Sequence, residues 1–424
     1  MGRVSGLKCV RCGKSYGLDL GYRMFEGCPD CAKEGQPANL STVYDRAGLD
    51  AAELARNISA RPRTMWRYLE FLPADNLEEA VTLHEGCTPM VRLRRLEEEI
   101  GVGRLYVKQE YRNPTGSFKD RLASTAVTHG LKTGARVITV CSTGNHGSSS
   151  VAYASSAGLD CVVFTMTSVP ITMKVLMQVY GGRLVACENG PDRWKLASWG
   201  IREKGWYPTG NIVNPPIGSN PFGVDGYKTM GLEICEDLGW RVPDVVVQPT
   251  AFGDGIYGMW KGFEEARLAG LVDSTPRVYA AEVFGPISNG LKHPRKWLAE
   301  MPARPSAAFS IATSHATQQA LKAVLDSKGG AVSVGGDDEL LAVQEKLGKC
   351  GIYAEASSCV SVAAVVRMAG QGVIGRHDTV VAILTSTGQR DPWTTQARMP
   401  EVPVVGPDPA ELVKAVREAY GFSI

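Results

Sequence analysis

The chain has 424 residues, 44% of them hydrophobic and 21% charged, with a formal net charge of +2. That length gives a sizeable core in two or three domains. The near-neutral charge excludes a general pull toward nucleic acid or an anionic membrane, and no apolar run is long enough to span a bilayer. The 11 cysteines are an odd number and the opening residues carry no apolar signal region, so a reducing, cytoplasmic setting is expected.

The first element is Cys9-Val10-Arg11-Cys12 followed by Cys28-Pro29-Asp30-Cys31, with fifteen residues between the pairs. Two such knuckles can present four thiolates tetrahedrally to a structural zinc, and four thiolates leave no open position for catalysis. A module this small gains its missing stability from the metal; reduced, unmetallated thiols are the alternative. Residues 37–63 read as a connector with a short polar helix over 49–59. The stripe Met65-Trp66-Arg67-Tyr68-Leu69-Glu70-Phe71-Leu72 reads as packing. Residues 81–90 read as an extended segment broken by a turn, with His84 structural.

The strand 104–108 leads into Asn113-Pro114-Thr115-Gly116-Ser117-Phe118-Lys119-Asp120-Arg121, where a lysine opens a helix running to a stop at Gly130. Taken alone, such a lysine is an ordinary surface residue. At a helix N-terminus, however, its charged form is disfavoured, which suits an amine that must be neutral to form a Schiff base. Strands at 136–141 and 161–166 flank a small-residue helix, and the strand–helix alternation resumes with strands at 244–248, 278–283 and 379–384. This predicts two α/β lobes with parallel sheets covered on both faces. Asp408-Pro409-Ala410-Glu411 marks the start of a C-terminal helix.

Three strand-to-helix turns carry chemistry. Ser142-Thr143-Gly144-Asn145-His146-Gly147 offers hydroxyls, an amide and backbone N–H groups to a carboxylate. Thr250-Ala251-Phe252-Gly253-Asp254-Gly255 can cradle a phosphate, although Asp254 must turn its side chain away; the turn lacks the lysine of a nucleotide-binding P-loop. Thr385-Ser386-Thr387-Gly388 supplies clustered hydroxyls. A Schiff-base lysine, a phosphate cradle, a carboxylate turn and a hydroxyl donor together match what pyridoxal 5'-phosphate requires.

On these motifs, with Thr88-Pro89 and Gly351-Ile352-Tyr353-Ala354-Glu355, the sequence resembles the threonine-synthase branch of the fold-type-II pyridoxal-phosphate enzymes over most of its length. The resemblance implies a two-lobed α/β fold with an N-terminal zinc-ribbon-like module at 1–40 and a connector at 41–104. It implies a smaller lobe at 105–225, a larger lobe at 226–400 and a terminal helix at 401–424. Lys119 would carry the cofactor and then take the Cα proton, and Phe118 would pack near the ring. Asn145 would bond the cofactor's hydroxyl, and Thr250, Ala251, Phe252, Gly253, Asp254 and Gly255 its phosphate. Thr385 would face the pyridine nitrogen. Ser142, Thr143, Gly144 and His146 would bind the substrate carboxylate, with Tyr227 also on the substrate side. A homodimer acting on a small amino acid is implied.

Two positions depart from the threonine-synthase pattern. An arginine that helps bind substrate phosphate in the family reads Gly223 here, and a usual glutamine reads Tyr227; Lys228 could replace the arginine only as a point charge. The run Gly144-Asn145-His146-Gly147 is closer to dehydratases and ammonia-lyases. These departures favour β-elimination or replacement on a 3-substituted alanine over threonine synthesis from O-phosphohomoserine, with γ-chemistry behind both. A non-catalytic protein using the cysteine module on nucleic acid is the remote alternative.

Overall fold

Short apolar runs bounded by turn residues become the strands of three sheets in a computed structural model that describes residues 4–45, 48–296 and 298–422. Strands β1 (Val4–Cys9), β2 (Ser15–Tyr16) and β3 (Leu40–Tyr44) form an antiparallel sheet in the order β2-β1-β3. Strands β4 (Met90–Arg92) and β5 (Arg104–Gln109) begin the largest sheet. The chain then leaves it to build a four-stranded parallel sheet from β6 (Val137–Cys141), β7 (Asp160–Met166), β8 (Arg183–Cys187) and β9 (Tyr207–Pro208), ordered β8-β7-β6-β9. It returns with β10 (Val245–Pro249), β11 (Arg277–Glu282), β12 (Gly330–Ser333) and β13 (Thr379–Leu384), giving the six-stranded order β12-β11-β10-β13-β5-β4.

The expected strands at 104–108, 136–141, 161–166, 244–248, 278–283 and 379–384 therefore form, within a residue or so at each end. Two expectations need correction. The strand Arg104–Gln109 pairs with β13 in the six-stranded sheet, so it does not belong to the smaller sheet as the 105–225 assignment implied. That sheet is also not wholly parallel, because β4 runs antiparallel to β5.

The near-continuous apolar runs follow from burial on both faces. Val246, Val278, Ala280, Val381 and Ile383 pack into one core, while Val245, Val247, Val380, Ala382 and Leu384 pack into another. The helix Lys119–Lys132 joins two cores in the same way. Leu122 and Ala126 belong to the core that includes Val246, and Ala123 and Val127 to the core under the four-stranded sheet. Spacings of four place each pair on one stripe, so the helix that begins at Lys119 is wedged between the two sheets' cores. It does not stop at Gly130, whose missing Cβ makes room for the Tyr207 ring; the chain turns at Gly134, with φ +85°.

The cysteine module has no separate core. Leu7, Cys9, Cys28, Cys31 and Leu40 are buried in the same cluster as Leu232 and Met259. Asp225 ties it down further, accepting from Thr42 Oγ1 (2.5 Å), Tyr44 Oη (2.6 Å) and Lys261 Nζ (2.9 Å). Residues through Arg390 make one compact unit and residues 391–424 a second. In the second, Asp408 caps the helix Pro409–Tyr420 by accepting from the Ala410 amide, as its sequence predicted. No helix among the described residues is long and apolar enough to cross a membrane.

Candidate active site

The run around Lys119 is held by its neighbours. Asn113 accepts from the Gly86 amide (2.9 Å) and donates to Glu110 O (2.7 Å). Asp120 accepts from the Thr115 amide (2.7 Å) and hydroxyl (2.5 Å), closing the turn, and Gly116 takes φ +81° within it. Arg121 is fully buried between Glu110 (2.7 Å) and Glu233 (2.6 Å). The Phe118 amide donates to Thr385 O (2.9 Å), linking the turn to the end of β13. Between these anchors Lys119 is the first helical residue. Its Nζ lies 4.5 Å from the Phe118 ring centroid and 5.6 Å from that of Tyr227. Burial lowers its pKa, with Asp254 pulling the other way. The shift goes the way expected from the helix dipole, with burial as its main cause.

Lys119 opens on a cavity of about 340 Å³, large enough for a cofactor-sized ligand. The turns expected to carry chemistry, 142–146 and 250–255, line it together with Phe118 and Thr385. Ser142 Oγ accepts from the amides of Gly144 (3.2 Å) and Gly147 (2.9 Å), so its hydroxyl shapes the turn. Thr143 and Gly144 form the cavity edge beside it. Asn145 Nδ2 donates to Glu355 (3.1 Å), and its Oδ1 accepts from Ser386 (3.3 Å) and Arg390 (2.5 Å). Burial, then the Lys119 charge, pushes the His146 pKa well below its ordinary value; among the described residues nothing bonds its buried Nε2.

On the other wall, Thr250, Ala251, Phe252 and Gly253 lead into the helix Asp254–Leu268. Among the described residues, the amides of 251–256 donate no hydrogen bond. Gly253 has φ +91°, and a Cβ there would collide with Ala320, so only glycine fits. Asp254 does turn away: it accepts from the Ser219 amide (2.8 Å) and hydroxyl (2.7 Å) and from Gln319 Nε2. A Cβ on Gly255 would collide with Gln248. Thr385 Oγ1 is 3.0 Å from Ser358 Oγ.

These features fit pyridoxal phosphate. A row of unbonded amides at the start of a 15-residue helix suits a phosphate dianion. A buried lysine whose charged form is disfavoured suits covalent attachment. The buried, unbonded His146 Nε2 and Gln248 Oε1 are polar atoms in want of a partner.

Several sequence expectations fare differently. Tyr227 is fully buried behind Phe118, stacked at 4.9 Å and 23°, and is not part of the cavity wall. Gly223 faces the helix Lys119–Lys132, where a Cβ would meet Leu122 and Ala126, and it does not line the cavity. Lys228 pairs with Asp225 (3.2 Å) and Glu265 (3.1 Å) and lies 3.8 Å from the Tyr44 ring centroid, away from any substrate role. His84, expected to be structural, is an exposed turn residue with φ 66° and does not line the cavity. The sequence reading passed over Arg193, Trp194, Asn211, Ser219, Gln248 and the segment 309–313, all of which line the cavity. Gln248 had a signal, a lone polar residue closing a valine run. The others had none.

Away from the cavity, the sulfurs of Cys9, Cys12, Cys28 and Cys31 all lie within 4.8 Å of one another. Cys9 and Cys31 are 3.5 Å apart and Cys12 and Cys28 3.8 Å. Tetrahedral zinc at about 2.3 Å from each sulfur sets them about 3.8 Å apart, so the four residues fit a metal.

Residues 81–386 match the family described as pyridoxal-phosphate dependent enzyme. The chain is 33% identical to the threonine synthase of Methanocaldococcus jannaschii, with 91% of this chain and 93% of that protein covered. It is also 33% identical to the threonine synthase of Methanosarcina acetivorans, over 97% of this chain and 98% of that one. Among solved structures, the processed form of threonine deaminase isoform 2 from Solanum lycopersicum has the same fold, with a TM-score of 0.62 at 18% identity over 88% of each chain. The chain therefore belongs to the pyridoxal-phosphate dependent enzymes, and its relatives include the threonine synthases.

Proposed function

We propose that this enzyme is a lyase that expels a leaving group from a small amino acid, and that its reaction converts O-phosphohomoserine and water to threonine and phosphate. One observation carries the reading. A buried Lys119 whose pKa is lowered meets an anion-binding helix start and a turn rich in hydroxyls and amides in a single cavity. The 33% identity to threonine synthases over nearly the whole chain supports the choice of substrate. Gly223 packs on a helix and supplies no cation, so on this reading another residue meets the substrate phosphate.

In this reading Lys119 carries the cofactor, and its freed amine then takes the Cα proton of the substrate. The amides of 251–256 hold the cofactor phosphate, Asn145 its ring hydroxyl and Thr385 its ring nitrogen. When bound, pyridoxal phosphate supplies the electron sink for charge at Cα. Thr385 offers that nitrogen a neutral hydroxyl, which suits elimination and replacement better than transamination. Ser142 holds its turn in shape so that Thr143 and the backbone of 142–147 can take the substrate carboxylate. The same proposal gives the four cysteines one structural zinc and makes the protein a homodimer.

A second reading, β-elimination or replacement on a 3-substituted alanine, is favoured by His146. Its neutral imidazole, buried and unbonded, can hydrogen-bond a hydroxyl or amine at the substrate's 3-position and orient it for departure. Holoenzyme given O-phospho-L-homoserine should release phosphate and threonine in equal amounts. Ammonia and keto acid from L-serine or 2,3-diaminopropionate, with no phosphate from O-phosphohomoserine, would select the second reading. A wild-type protein that stays colourless with added pyridoxal phosphate would sink both.

A further inference from the structure

Arg193 is a cation in an unfavourable place. It stands in the first turn of the helix Gly190–Lys204, where the positive end of the helix dipole opposes another positive charge. It is partly buried, and burial lowers its pKa; the groups acting on its charge are the thiols of Cys141 and Cys187, not a carboxylate. Its Nε donates to Gly190 O (3.2 Å). Among the described residues no acid pairs with it, although Asp192 beside it pairs with Lys195 (3.2 Å). Both Nη groups are thus left without a protein acceptor. Arg193 is half-buried and its Nη groups keep contact with solvent, so the guanidinium is free to take an anion that enters the cavity.

Its backbone placement is fixed. Cys141 Sγ donates to Arg193 O (3.3 Å), tying the helix start to the last residue of β6, immediately before the Ser142 turn. Arg193 lines the cavity on the wall built by the four-stranded sheet, with Thr143 and Asn211. The unbonded amides of 251–256 belong to the other wall, at the end of β10. Asp254, the carboxylate lining the cavity, is engaged by Ser219 and Gln319 and does not reach Arg193 as a counter-ion. The cavity therefore has two anion-binding places on different elements, and the cofactor phosphate occupies only one.

We infer that Arg193 is a specificity-determining residue that receives a phosphate ester at the far end of the substrate's side chain, through a two-pronged guanidinium contact. This rests on the lyase reading above. It locates the substrate's distal group beside the carboxylate-binding turn, so that one wall grips both ends of the amino acid. It also assigns a role to a cavity-lining cation that no acid pairs among the described residues.

The test titrates holoenzyme with O-phospho-L-homoserine and O-phospho-L-serine and with their neutral counterparts L-homoserine and L-serine. Binding is read from the change in cofactor absorbance, and turnover is measured separately. Wild type should bind the phosphorylated members at least about 10-fold more tightly, equivalent to about 1.4 kcal/mol. Arg193→Ala and Arg193→Gln should lose that preference while binding the neutral members within about 2-fold of wild type, and Arg193→Lys should keep part of it. Equal binding of the two classes by wild type, an unchanged preference in Arg193→Ala, or an equal loss for both classes would each overturn the assignment. Preference without release of phosphate or ammonia defeats the reaction proposed above and leaves Arg193 in its role. Turnover of a phosphorylated substrate with KM unaffected in Arg193→Ala defeats the Arg193 assignment alone.

Discussion

Lys119, Asp120 and Arg121 are adjacent, yet one faces the cavity and two fasten it. Arg121 is fully buried, and its guanidinium is matched by Glu110 and Glu233, while Lys108 lies 2.9 Å from Glu233. Replacing Arg121 with Met leaves buried carboxylates short of a partner, which should cost about 3–5 kcal/mol. Urea unfolding would measure it, and a loss under about 1 kcal/mol would contradict this account. Asp120 is a different case. Burial raises its pKa from 3.8 to about 6, against the hydrogen bonds from Thr115 and Ser149. Its folded pKa lies above its unfolded one, so the native state holds its proton longer. Its contribution to stability should decline as pH rises from about 4 to about 6 and then level off, by at most about 3 kcal/mol. Comparing wild type with Asp120→Asn across that range isolates the slope; parallel curves would show that Asp120 does not titrate this way. The run was legible in sequence as a cofactor-lysine motif. The anchoring was not, because Glu233 lies more than a hundred residues away along the chain.

The elements explain which parts of the fold were readable. Strands β10 and β13 are apolar on both faces and stand out as runs. Strand β8 is largely exposed, and every residue of β12 is partly exposed, so neither shows a run or a clean alternation. Two-residue strands such as β9 carry too little pattern for any reading. The cysteine module was readable because its ligands are sequence-local knuckles. Its sheet was not, because β3 arrives from what reads as a connector. Cys9, Cys28 and Cys31 are nearly fully buried in a core shared with Met259, so metal loss should be felt beyond the module. One zinc per chain is expected by elemental analysis of protein prepared without chelator. Cys31→Ser should lose it and unfold at a lower urea concentration than wild type. Full stability in a zinc-free protein would show that thiol packing alone suffices.

At the scale of the whole molecule, the cavity is where the four-stranded and six-stranded sheets meet, and it is assembled from turns far apart in sequence. Hydrogen bonds from Arg390 and Ser386 to Asn145 join the turn after β13 to the turn after β6. The helix from Lys119 is wedged between the two cores. The pairing of sheets and the order of the turns were visible in the strand–helix alternation. The wall contributed by Arg193, Trp194 and 309–313 was not, since nothing local distinguishes those residues from surface. A ligand held by both walls stabilises the native state by mass action, because the unfolded chain has no such site. Stripping the cofactor should therefore lower the unfolding temperature, and adding pyridoxal phosphate back should restore it. At a free concentration 1,000 times Kd the gain is about 4 kcal/mol. Gly253→Ala separates this effect from general damage. The new Cβ meets Ala320 at a positive φ, so the turn 250–255 must shift while Lys119 stays intact. Stripped Gly253→Ala should itself unfold below stripped wild type, and measured from its own stripped form it should regain much less on adding cofactor. If the two proteins regain equal stability, the amides of 251–256 do not hold the phosphate.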